Sequence, residues 1–296
     1  MAELGGHEGF MECYRNKKPV VLLGIASEWR ALHLWQDPEV FERKLIALEE
    51  FERNKSDYDE VWHEQPALYE GQDAGSGEGT IVVMKARDGV SFLELPEYVE
   101  KTRVPVSELL EAAFGQQGQP GPCLYARVEI PRPLIDDVRL PFELFAPEPS
   151  QRLERDFFSP WNSRLWIGTA GNITPCHFDR AHGVLCQIRG VKRVYMFSPE
   201  DSPNLYPHSG DRSDAHAARV DVNAVFSGDL GLLEAQLARF PRLARAQPHV
   251  CDLLAGEILY IPPGWWHCVV SIESSISLTF PFGISAREHT PPSLWR

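Results

Sequence analysis

Basic residues are scarce in this chain. Its 29 Lys and Arg face 42 Asp and Glu, a formal net charge of −13. Such a surface repels nucleic-acid phosphates at long range, which excludes indiscriminate nucleic-acid binding and leaves room only for a local basic cleft. No Cys-x-x-Cys pair occurs among Cys13, Cys123, Cys176, Cys186, Cys251 and Cys268, so a structural zinc ribbon is not expected. At this length and spacing, free thiols are expected in preference to three disulfides. No apolar run approaches the roughly 18 residues that span a bilayer, so no membrane partner is expected. The opening MAELGGHEGFMECYRNKKP lacks both the apolar stretch of a signal peptide and the Arg-rich, acid-poor character of a transit peptide. A cytoplasmic or nuclear location is the expectation. Gly75, Gly77 and Gly79 stand without the lysine or spacing of a phosphate-binding loop, which argues against a nucleotide site.

What is present is ordinary globular material, 43% hydrophobic and 24% charged over 296 residues, enough for one large core and an accessory region. PVVLLGI (19–25) and the run from Thr80 to Met84 have strand character. Residues 37–53 and 106–114 have helical spacing. GQQGQPG then forms a turn-rich joint, and Cys123 to Ile130 suits another strand. From Arg164 the texture changes to short strands: LWIGTA, GVLCQI, KRVYMF, GEILYIP, HCVVSI and SSISLTFPF. That pattern predicts an antiparallel β sandwich or barrel, interrupted by a helical insertion near 229–246 that Pro241 breaks. The expected organisation is a mixed α/β region over 1–120 packing on a β core over 121–296.

The informative segment is GNITPCHFD, residues 171–179. His177 and Asp179 are two apart, so in a strand they share one face. His267, closing IPPGWWH before an apolar run, is the candidate third ligand. Two imidazoles and a carboxylate suit a non-haem Fe(II) facial site, with zinc as the chemical rival. Composition does not choose between them, and a plain His–Asp hydrogen-bonded pair is the alternative without metal.

Taken together, GNITPCHFD, QIRGVKRVYMFSPED, LYPH and AGEILYIPPGWWH resemble, in order and separation, the catalytic half of the small JmjC (cupin-like) oxygenases. The resemblance covers residues 164–283, and KKPVVLLGI resembles the family's opening strand. It implies a mainly β fold with accessory helices, a double-stranded β-helix or jelly roll. It also implies Fe(II) as metal, with 2-oxoglutarate and dioxygen as cosubstrates. Carried over, His177, Asp179 and His267 match the iron ligands. Lys192 matches the lysine that pairs with the distal carboxylate of 2-oxoglutarate, and Thr174 and Tyr125 match hydroxyls that reach the same carboxylate. A cation there makes chemical sense, because a dicarboxylate that chelates a metal at one end needs a partner at the other. Strand alternation then sends Arg193 to the opposite face.

One departure is Gly183, where relatives carry an asparagine near the cosubstrate. Either the preceding His182 or a water replaces the amide, or the pocket is more open; His182 as a solvent-facing side chain is the other reading. Trp265, Trp266, Pro262 and Pro263 are expected to stiffen the approach to His267. Tyr206 and His208 are candidates for substrate contact, and Asp221 and Asn223 for organising the same region through backbone hydrogen bonds. The expected activity is hydroxylation of a protein side chain. A tRNA-base hydroxylase, an N-methyl-lysine demethylase, a small-molecule hydroxylase, a noncatalytic cupin-like binding protein and a zinc hydrolase are the alternatives. The Pro-rich dozen residues after Phe282 are too short for a dimerising helical bundle, so a monomer is expected.

Overall fold

The computed structural model describes residues 6–53, 79–93, 96–115, 123–130, 132–145, 163–208 and 216–283. The glycines at 75 and 77, the joint at 116–122 and the tail after 283 lie outside them. Among the described residues twelve strands run as β1 (Val20–Leu22), β2 (Thr80–Ala86), β3 (Val99–Pro105), β4 (Tyr125–Val128), β5 (Arg164–Gly168) and β6 (Ile173–Phe178), then β7 (Gly183–Arg189), β8 (Lys192–Phe197), β9 (His249–Leu253), β10 (Ile258–Ile261), β11 (Trp266–Ser271) and β12 (Ser275–Thr279). They form an eight-stranded sheet, β1-β10-β7-β12-β5-β4-β2-β3, and a four-stranded sheet, β6-β11-β8-β9. Two facing antiparallel sheets with accessory helices make a jelly roll of the cupin type, as expected from the strand texture. Residues before 120 share the large sheet with the later strands, since β1 pairs with β10 and β2 with β4.

Helices cover one face of the large sheet. Phe10 of the helix Gly6–Cys13, Phe41 and Leu45 of Pro38–Arg53, and Leu109 and Leu110 of Val106–Phe114 pack with Val184, Cys186, Ile258, Tyr260 and Leu278. This is the main core, and its apolar burial is the chief source of the fold's stability. The outer face of the small sheet is covered by the insertion: Phe178, Phe197, Trp266 and Cys268 pack against Leu205, Val222, Phe240 and Leu243. Within it, helix Leu230–Arg239 ends where Pro241 starts a 3-10 turn, as the sequence suggested. Between the sheets, Leu185, Val194, Met196, Leu253, Leu259 and Ile261 line the interior of the roll. All six cysteines are free thiols, and among the described residues no helix is long and apolar enough to cross a membrane.

Candidate metal centre

His177 lies on β6 and His267 on β11, directly paired in the antiparallel register. Asp179 follows the end of β6, and its backbone carbonyl accepts a hydrogen bond from Gly264 N–H at 2.9 Å, which ties the PPGWWH turn to the metal loop. One ligand atom from each of His177, Asp179 and His267 falls within 4.8 Å of the others. The imidazoles are aimed by their own strands. His177 Nδ1 is 2.8 Å from the Pro175 carbonyl, and His267 Nδ1 is 3.1 Å from that of Trp265. Each carbonyl fixes an Nδ1–H tautomer and leaves Nε2 as a ligand atom. His267 Nε2 stands 3.8 Å from Asp179 Oδ2. Burial, and then the neighbouring His267, hold the His177 imidazole at about 4, so it is neutral at ordinary pH and able to ligate. The donor set therefore fits Fe(II): a facial triad with restrained Nε2 atoms and a partly exposed carboxylate.

Lys192 is on the same interior surface. Along β8 and β11 the inward pairs are His267 with Met196, Val269 with Val194, and Ser271 with Lys192. Four residues at ~3.4 Å each separate the His267 and Ser271 levels by roughly 14 Å. Valine side chains at 194 and 269, with Leu185 and Leu259, make the intervening wall apolar. Lys192 Nζ is buried and donates to Ser277 Oγ at 2.6 Å and Tyr125 Oη at 3.2 Å. Among the described residues no carboxylate pairs with it, and burial lowers its pKa to about 7. Arg193 points outward into a bidentate pair with Asp252 at 2.6 and 2.7 Å.

Thr174 and His177 are three apart, which in an unbroken strand would place them on opposite faces. A bulge resolves this. His267 pairs with His177 and Val269 with Thr174, so β6 spends one extra residue around Pro175 and Cys176. Cys176 and Phe178 turn to the outer core, while Thr174 shares a hydrogen bond with the interior Tyr125. Burial, the largest influence, raises the Tyr125 phenol well above its usual range. Its ring packs against Trp166 and Phe92 at centroid distances of 5.2 and 5.3 Å. It needs Gly168 opposite it on β5, because a Cβ there would lie 2.6 Å from the ring. The structure thus groups Lys192, Tyr125, Thr174 and Ser277. Ser277 was not singled out from sequence. The signal was the alternation of SISLT, with buried hydroxyls at Ser275 and Ser277 between apolar Ile276 and Leu278.

His182 corrects one expectation. It is neither solvent-facing nor a substitute for the missing amide. It is fully buried on the outer side of the large sheet, 2.8 Å from Tyr260 Oη and stacked on Phe282 at 4.6 Å. Residues 184, 186 and 188 face that same outer core, so Gly183 takes the inward position, where a Cβ would meet only Ile261 at 3.9 Å. The pocket is therefore open at this point. Trp266 lies on the outer face, donating to Ser202 Oγ at 2.8 Å, and Trp265 donates to the Lys17 carbonyl at 3.2 Å. Asp221 caps the helix Val222–Phe226 by accepting from Ala224 N–H at 3.0 Å.

A double-stranded β-helix carrying a two-histidine, one-carboxylate face near its interior defines the class of protein. A family model described as a cupin-like domain matches residues 7–285, and the chain belongs to that family. It is 27% identical over 271 residues to Jumonji C domain-containing protein 5 of Drosophila melanogaster, covering 91% of this chain and 55% of the relative. It is also 40% identical over 116 residues to JmjC domain-containing protein D of Dictyostelium discoideum (39% of this chain, 23% of the relative). Over 115 residues it is 33% identical to lysine-specific demethylase 8 of Danio rerio (39% and 26%). The chain thus spans about half the length of the first of these relatives and about a quarter of the other two.

Proposed function

We propose that this chain is an Fe(II)- and 2-oxoglutarate-dependent dioxygenase that hydroxylates a protein side chain. The observation that carries the reading is the placement of the triad and the Lys192 cluster on one interior surface, several residues apart along the same strand pair. In this reading His177, Asp179 and His267 hold iron on one face and leave the other for a chelating cosubstrate and dioxygen. Iron, when bound, couples oxidative decarboxylation of 2-oxoglutarate by dioxygen to oxidation of a substrate C–H bond.

The protein's own part is orientation and exclusion of water. Lys192 receives the distal carboxylate, with the Tyr125, Thr174 and Ser277 hydroxyls completing the grip. The apolar wall of Val194, Val269, Leu185 and Leu259 keeps the space between both ends dry, which strengthens each charged contact. The carbonyls of Pro175 and Trp265 hold both imidazoles in the ligating tautomer. A protein substrate is favoured over tRNA by the net charge of −13.

The test is succinate release from anaerobically Fe(II)-loaded protein given air, 2-oxoglutarate and fractionated peptides. Peptide-stimulated succinate with a mass gain of one oxygen on the peptide supports hydroxylation. Formaldehyde from methyl-lysine peptides would move the reading to demethylation, the activity named in the Danio rerio relative. Retained zinc with no 2-oxoglutarate consumption would refute it.

A further inference from the structure

The outer edge of β6 carries a second structure that the metal chemistry does not use. Phe178 N–H donates to the His216 carbonyl at 3.0 Å and Ala218 N–H to the Cys176 carbonyl at 2.7 Å, so residues 216–218 extend the small sheet beyond His177. Residues 206–208 pair in turn with 217–219: His208 N–H donates to the Ala217 carbonyl at 3.1 Å and Arg219 N–H to that of Tyr206 at 3.0 Å. Beside this ribbon lies a cavity of about 290 Å³, walled by Pro175, Cys176, Tyr98, Asn223, Arg219 and Arg239. Its floor is the same stretch of β6 whose Pro175 carbonyl orients His177.

The cavity opens onto an arginine cluster held by two aromatic rings. The Arg219 and Arg239 guanidiniums lie 5.6 and 5.1 Å from the Phe240 ring centroid, and Arg242 lies 4.4 Å from that of Tyr206. Tyr206 is the organising residue. Its backbone sits in the left-handed region at φ 52°, uncommon for an aromatic side chain, and its hydroxyl accepts from Arg242 N–H at 3.0 Å. Its ring packs on Phe240 at 5.1 Å. Among the described residues, none of Arg219, Arg239, Arg242 and Arg245 is ion-paired with a carboxylate. Four exposed guanidiniums, with no carboxylate paired to them among the described residues, form a local field opposite in sign to the net charge of −13. The rings against Arg219, Arg239 and Arg242 limit their motion, so less entropy is lost when an anion is bound.

We propose that this cavity binds an acidic side chain, aspartate or glutamate, of a peptide whose reacting residue lies at the metal. The proposal rests on the protein-hydroxylase reading and names its substrate class: a peptide with a carboxylate flanking the target. A nucleic-acid surface needs a stripe of cations tracking successive phosphates. This site is a single pocket of side-chain size, with Arg219 and Arg239 at its wall and Asn223 as a neutral hydrogen-bonding neighbour; the one carboxylate in its lining, Asp221, is engaged as the cap of helix Val222–Phe226, accepting from Ala224 N–H at 3.0 Å. Planar guanidiniums suit a carboxylate.

The test is fluorescence anisotropy on the full chain with a labelled decapeptide of Glu, Ser and Gly, against the same peptide with Gln for Glu. The Glu peptide binds and weakens with salt, and the Gln peptide binds at least tenfold more weakly. The double variant Arg219→Gln/Arg239→Gln loses on the order of tenfold per arginine, and Arg219→Lys/Arg239→Lys retains more affinity than the double Gln variant. Repeating the titration on His177→Ala separates the two readings. Binding retained there with no succinate release from wild type removes the oxygenase reading and leaves the arginine pocket standing. Equal binding of the two peptides, or wild-type affinity in the double Gln variant, overturns the proposal. So does tighter binding of a single-stranded RNA decamer than of the Glu peptide, which would assign the arginines to nucleic acid.

Discussion

Replacing Lys192 by Met removes the ammonium while keeping a side chain of similar length. Because Lys192 is buried, donating to the neutral Tyr125 and Ser277 hydroxyls, its pKa falls from 10.5 to about 7. At ~1.4 kcal/mol per pH unit, that displacement costs the folded state about 5 kcal/mol below about pH 7, where the buried lysine must carry its proton. The sign follows from proton counts. Between about 7 and 10.5 the unfolded state binds the extra proton, so wild-type stability rises with pH across that window through this residue. Below it the cost is present in full; above it the cost vanishes. Methionine removes the cost but leaves two hydroxyls with one partner fewer, at about 1 kcal/mol each. The net expectation is that Lys192→Met is more stable than wild type by roughly 3 kcal/mol at pH 6. The gain shrinks as pH rises, is lost near about pH 9, and reverses above it. The same variant loses stabilisation by 2-oxoglutarate, because the distal carboxylate no longer meets a cation. Urea unfolding at several pH values, with and without Mn(II) and 2-oxoglutarate, measures both effects. Equal stability of the two proteins from pH 6 to 10, or an unchanged stabilisation by 2-oxoglutarate, would refute the reasoning.

His177→Ala and Asp179→Ala each lower Fe(II) affinity by at least a hundredfold in anaerobic titration, since each removes one of three ligands. In wild type, 2-oxoglutarate affinity falls as pH rises above about 7, by up to tenfold per pH unit, because the complex requires Lys192 protonated and the free site has released that proton; calorimetry in two buffers reads the proton uptake. Gly168→Ala places a methyl 2.6 Å from the Tyr125 ring and costs about 1–3 kcal/mol of stability together with 2-oxoglutarate affinity. His182→Ala lowers stability by about 2–4 kcal/mol through a cavity against Phe282 and the loss of the Tyr260 contact. It leaves 2-oxoglutarate affinity within about twofold, because His182 faces away from the interior.

Much of this was legible in the residues themselves. Lys192 and Arg193, as neighbours in β8, obey simple strand alternation, and their observed faces follow it; His177 and Asp179, at a spacing of two, do converge on one site, although Asp179 lies just past the end of β6. Helix Leu230–Arg239 and its break at Pro241 also follow local rules. Where alternation fails, a tertiary cause is visible. Thr174 reaches the interior only because β6 bulges at Pro175 and Cys176, a feature set by pairing with β11 rather than by local propensity. His182 is ambiguous in sequence because its burial depends on Tyr260 and Phe282, 78 and 100 residues further along the chain. The arginine cluster joins positions 219, 239 and 242 through Phe240 and Tyr206, and no periodicity links them. The notable sequence trace was LYPH, which marked Tyr206 and His208 without showing that Tyr206 serves to hold cations.

The most direct test of the account is an anaerobic titration of 2-oxoglutarate into the Fe(II)-loaded chain, followed by the visible charge-transfer absorption of a keto-acid chelated to ferrous iron. Wild type gives a saturable band at one equivalent. Its midpoint moves at least tenfold higher in Lys192→Met, and the band is absent in His177→Ala. A wild-type chain that binds Fe(II) but develops no band, or a band unchanged in Lys192→Met, would contradict it.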